Sequence, residues 1–87
     1  VHVVEHNLPI KYCSVFATHD GMDGIVFVDS QFMAYVFEAF HPEKIVRLAE
    51  FMNPIVLCEY DRTSGGFVML DEQSHFFIIP SPLKPTY

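Results

Sequence analysis

Two hydrophobic periods alternate along this chain, and the switch between them falls within residues 25–60. Ile45, Leu48, Ala49 and Met52 stand at i, i+3, i+4 and i+7, one face of a 3.6-residue repeat, and Val46 widens the stripe. Glu43, Lys44, Arg47 and Glu50 take the other side, and Glu43 precedes Arg47 by one helical turn. Pro42 suits a first helical turn, Glu43 suits the dipole there, and Asn53-Pro54 is a stop signal. The pattern predicts an amphipathic helix over 42–53. In the preceding stretch Phe32, Met33, Val36, Phe37 and Phe40 also have helical spacing, with Asp29 or Ser30 as N-cap. Ala34, Tyr35 and Ala39 leave it almost no polar face, so it predicts a helical segment buried on most sides, in so short a chain against another chain.

Period-two patterning occupies the rest. Residues 10–18 alternate Ile10, Tyr12, Ser14 and Phe16 with Lys11, Cys13, Val15 and Ala17, which predicts a strand. Residues 25–28 form a continuous apolar run, as in a central strand covered on both faces. Residues 55–60, 67–70 and 76–79 predict three short strands. Their connections are too short for parallel crossovers, so they form antiparallel hairpins. Residues 67–70 and 76–79 are apolar on both faces, so each needs a second cover. Residues 1–6 read as a short edge strand. The pattern shows no internal repeat. The expected fold is therefore α+β: an antiparallel sheet of about five strands with one or two helices packed on one face, in the order β-β-α-α-β-β-β. It forms one domain over 1–80, followed by an extended Pro-rich tail over 81–87.

Composition sharpens this. Of the 87 residues 51% are hydrophobic and 18% charged, an apolar surplus for a domain that buries only about 60% of its unfolded surface. The surplus points to an interface with another protein, as a homodimer or as a subunit of a complex. The net charge is −6, and Lys11, Lys44, Arg47, Arg62 and Lys84 are scattered. That excludes a general nucleic-acid grip and disfavours anionic membranes. No stretch reaches the roughly 18–20 apolar residues of a membrane span and no signal peptide is visible, so the cytoplasm is the expected compartment. The chain starts at Val1 rather than Met, which leaves room for an upstream segment. Cys13 and Cys58 lie mid-strand and are expected to be free, buried thiols.

The candidate chemistry is thin. His19, Asp20 and Asp23 offer imidazole and carboxylate ligands for a divalent metal, in a glycine-bearing loop that equally suits a turn. His2 and His6 could share a strand face, but zinc needs three or four converging ligands. Ser64-Gly65-Gly66 lacks the lysine of a phosphate cradle. Glu59, Asp61, Asp71 and Glu72 flank a predicted hairpin and make a solvated acidic rim. No cofactor is implied.

These features fit a small, acidic, non-enzymatic interaction module. It would be a regulator or inhibitor, of the kind viruses and phages also encode, that docks an apolar, acid-rimmed face onto a partner protein or onto itself. Phe32, Met33, Tyr35 and Phe37 are the expected anchors, because interface energy concentrates in large apolar groups at a desolvated centre. One alternative is a metal-dependent enzyme or metal-binding protein using His19, Asp20 and Asp23. Another is a sensor that takes an apolar ligand among the aromatic residues of 32–40, Phe76 and Phe77.

Overall fold

A computed structural model describes residues 3–18 and 21–82. Among the described residues seven strands form: β1 (Ile10–Ala17), β2 (Asp23–Asp29), β3 (Met33–Glu38), β4 (Val46–Glu50), β5 (Ile55–Asp61), β6 (Gly66–Asp71) and β7 (Phe76–Pro80). All neighbours pair antiparallel, in two sheets of order β1-β2-β3-β4 and β5-β6-β7. The fold is thus two packed antiparallel sheets, not the α+β arrangement expected from the pattern. Among the described residues the only helical element is one 3-10 turn, Pro42–Lys44.

Both expected helices are strands, for separate reasons. Residues 33–38 are covered on both sides: Ala34, Val36 and Phe37 are buried and Met33 and Tyr35 half-buried. A run apolar on every side fits either period, and pairing with β2 and β4 decides for the strand. In the predicted amphipathic helix, Pro42 and Glu43 start a helical turn that does not propagate beyond Lys44. Val46 to Glu50 instead occupies the outer edge of β3, with Val46 opposite Val36 and Glu50 opposite Met33. A solvated helix of this length is marginal by itself, whereas an open sheet edge offers a row of unpaired backbone groups. Residues 3–6 carry no strand. Of the expected tail, residues 83–87 lie outside the described residues, and Ser81 donates its backbone N–H to the Gly65 carbonyl at 3.0 Å.

The two sheets carry an internal repeat that the linear pattern hides. Pro9, Ile10 and Cys13 recur as Pro54, Ile55 and Cys58, and Gly24, Val26, Asp29 and Gln31 recur as Gly66, Val68, Asp71 and Gln73. The backbone repeats with them. Ile10 opposes Asp29 and Cys13 opposes Phe27 in the first sheet; Ile55 opposes Asp71 and Cys58 opposes Met69 in the second. A bulge follows Ile10 and again Ile55. Gly24 and Gly66 sit at matching points where no side chain fits. A Cβ on the first would run into the Phe16 ring, and one on the second would stand 2.9 Å from the Ile79 carbonyl oxygen. The loop before β2 is longer than the one before β6, so the two halves fall out of step along the chain.

The core lies between the sheets. Val26, Val28, Ala34 and Val36 face Cys58, Phe67 and Met69, all at 3% exposure or less. β1 and β5 approach most closely. There the Cys58 N–H donates to the Tyr12 hydroxyl at 2.9 Å, and Phe16 stacks on Tyr60 with centroids 4.6 Å apart. Met69→Ala is expected to cost about 2–5 kcal/mol in urea unfolding. Met52→Ala, at a side chain 89% exposed, should stay within about 0.5 kcal/mol. Similar losses for the two would contradict this placement of the core.

Candidate protein-interaction surface

The second sheet buries one face and leaves the other open. Phe67, Met69, Phe77 and Ile79 belong to the face packed on the first sheet. The pleat turns Val68, Leu70, Phe76 and Ile78 the other way. Cross-strand pairing sets Val68 opposite Ile78 and Leu70 opposite Phe76, and brings Leu57 and Glu59 onto the same side. Phe76 is 69% and Ile78 81% exposed. Six neighbouring positions on three strands thus make an apolar surface with one carboxylate, Glu59, among them. The sequence signal for it was the two-sided apolar character of 67–70 and 76–79.

The expected anchors lie elsewhere. Phe32 packs at the edge of the core, and Met33 is half-buried. Tyr35 stacks on Phe27 at 5.2 Å between centroids, and Phe37 is 5% exposed. Tyr35 and Phe37 face away from the second sheet, on the side where the His6 ring meets Phe27 and Tyr35 edge-on, each at 5.0 Å. Beside them an open cavity of about 460 Å³ is lined by Val4, Ile25, Phe37, Ala39, Phe40 and Pro42. Phe76 and Phe77 are not part of that lining.

The four rim carboxylates divide into two roles. Glu59 and Glu72 are exposed. Asp61 organises the β5–β6 turn, accepting from the Thr63 N–H at 3.0 Å and the Ser64 hydroxyl at 2.8 Å. Asp71 is buried and organises the β6–β7 turn. Its Oδ1 accepts from the N–H groups of Gln73 and His75 at 3.0 and 2.8 Å. Its Oδ2 meets His75 Nδ1 at 3.1 Å and Asn53 Nδ2 at 3.4 Å. Asp29 does the same for the β2–β3 turn. Its Oδ1 accepts from Gln31 and Met33 at 3.0 and 3.1 Å, and its Oδ2 from His6 Nε2 at 2.9 Å.

Burial pushes both carboxyls upward. For Asp29 the His6 hydrogen bond, the Met33 and Gln31 N–H groups and the His6 charge outweigh it. For Asp71 the His75 N–H and ring, the Asn53 amide and the His75 charge do so. Both aspartates end below the ordinary carboxylate value and stay ionised.

Of the proposed metal ligands, His19 and Asp20 lie outside the described residues, as does His2, and Asp23 is exposed at the start of β2. Among the described residues no three His, Cys, Asp or Glu side chains converge. Both cysteines are free. Cys58 is buried, and that burial, with Glu59 adding to it, pushes its thiol up to about 12, so it is no thiolate nucleophile at neutral pH. Cys13 is exposed, against the expectation of a buried thiol. Among the described residues no helix is long and apolar enough to cross a membrane. No protein-family model, curated protein or solved structure matches the chain.

The two lowered aspartates fix the sign of an acid response. A depressed folded-state pKa stabilises fully above the unfolded value of about 3.9, and this is lost as pH falls through the folded value. The urea midpoint of the native chain should therefore drop more steeply below about pH 5 than that of the Asp29→Asn, Asp71→Asn double variant. Parallel curves would show that these carboxylates do not carry the linkage. At pH 7, Asp71→Ala should cost about 1–3 kcal/mol, since it strands the Gln73 and His75 N–H groups.

Proposed function

We propose that the chain is a non-enzymatic protein-interaction module that docks through the outer face of β5–β7. The observation that supports this reading is the apolar surface around Phe76 and Ile78, which spans three strands instead of being scattered singly. Leu57, Val68 and Leu70 supply its floor, and the two exposed side chains supply anchors. Glu59 within the face and Glu72 at the adjoining turn, on a chain of net charge −6, favour a partner whose rim is basic. Such a module regulates or inhibits by occupying a surface on its partner, and a second copy of the chain is one such partner.

Burying an isoleucine is worth about 1.5–3 kcal/mol, so Ile78→Asp should weaken docking by about tenfold or more. Val3→Asp, at an apolar residue 76% exposed and outside β5–β7, is the control. Cross-linking in extract and light scattering over a dilution series would read partner capture and self-association. Loss with Ile78→Asp and retention with Val3→Asp is the expected result. Equal behaviour of the two variants would reject this face as the docking surface.

A further inference from the structure

The repeat shows what kind of surface covers the open face. In the first sheet Val26, Val28, Ala34 and Val36 lie against the second sheet. Their counterparts in the second sheet are Val68, Leu70, Phe76 and Ile78, which form the open face. Conversely, Phe67, Met69, Phe77 and Ile79 lie against the first sheet, whereas their counterparts Ile25, Phe27, Tyr35 and Phe37 face away from the second. The interface therefore joins unlike faces of two equivalent units. A contact of that kind is heterologous: it leaves one face of each type unused and can be repeated. On the first sheet the unused face is overlain at Phe27 and Tyr35 by the His6 ring. On the second, Phe76 and Ile78 stand exposed.

We propose that the outer face of β5–β7 is the stacking face for a further antiparallel meander of this same repeat, seated on it as β5–β7 is seated on β1–β4. This inference rests on reading that face as an interaction surface and names its occupant. The edge of the second sheet supports it independently. β3 is flanked by β4, whereas among the described residues nothing pairs with the outer edge of β7, its counterpart. The sheets also come closest at their first strands, β1 and β5. That is the arrangement of successive four-stranded units set around an axis, in which each unit covers the next. The incoming unit would present large apolar side chains at the positions of Phe67 and Met69. It would also have to leave room for the Phe76 ring, which stands where the first repeat has Ala34.

The test lengthens the full chain by one repeat in register. Pro80 pairs with Gly66 as Glu38 pairs with Gly24, so a second copy of residues 39–87 is joined directly after residue 80, with Phe76→Ala in the inner copy so that it matches Ala34. The expected result is one cooperative urea transition with a higher midpoint than the 87-residue chain and a slope roughly half as large again. Ile78→Asp in the inner copy should abolish the gain, while the same change in the 87-residue chain leaves its midpoint nearly unmoved. A separate transition for the added repeat, or an unchanged midpoint, would overturn the proposal. If Ile78→Asp still abolished partner capture in that case, the face would be a docking surface for a different occupant. If it did not, both readings would fall.

Discussion

A carboxylate buried at a hairpin turn needs donors on every side, and each half of this protein is built around one. Asp29 and Asp71 end the central strands β2 and β6, and their Oδ1 atoms gather the backbone N–H groups of the turns that follow. The next residue in each case, Ser30 or Glu72, donates its N–H to the carbonyl of Pro9 or Pro54. One side chain and its neighbour thus tie three strands together and fix their register. The turns need no glycine: Phe32 and Ser74 hold φ of 62° and 67°, a left-handed strain of roughly 1–2 kcal/mol that the aspartate hydrogen bonds offset. The second carboxylate oxygen is used differently in the two halves. In the first it holds His6, and with it the segment over Phe27 and Tyr35. In the second it holds the local His75 and Asn53.

A hairpin so fixed has two determined faces, and a short three- or four-stranded sheet is stable only when an apolar face is covered. The halves solve this for each other once, through the Phe67–Met69 side of one and the Val26–Val28 side of the other. Because unlike faces meet, the solution leaves the same problem at the outer side of β5–β7. Part of the apolar surplus in the composition stands exposed there, at Leu57, Phe76 and Ile78, and the rest is spread over other sites such as Val15 in β1, Phe40 after β3 and Met52 after β4.

The helical reading failed where tertiary pairing outweighed local spacing. Ile45, Leu48, Ala49 and Met52 do have helical spacing, but spacing records only which positions are apolar, and the edge of β3 gave the segment a tertiary partner that a marginal solvated helix lacks. Residues 33–38 were ambiguous in principle, since a segment covered on both sides has lost the alternation that marks a strand. The repeat was written in the sequence in Pro-Ile-x-x-Cys and in Gly-x-Val, then Asp-x-Gln. It was obscured because the loop before β2 is longer than its counterpart and because most matching core positions stay apolar but change identity.

The residues alone determined the strands of 10–18, 25–28, 55–60, 67–70 and 76–79, the antiparallel hairpins of the last three and the two-sided apolar character of the last two. These follow from alternation, β-branched content and connection length, which are local. Only the tertiary structure decided that Asp71 is a buried turn anchor while Glu59 and Glu72 are exposed, that Tyr35 and Phe37 lie away from the other sheet, and that Phe76 and Ile78 stand open. Each of those outcomes depends on which sheet face meets which. No run of neighbouring residues encodes that choice, because it is made by side chains far apart in the chain that come into contact only after both hairpins have formed.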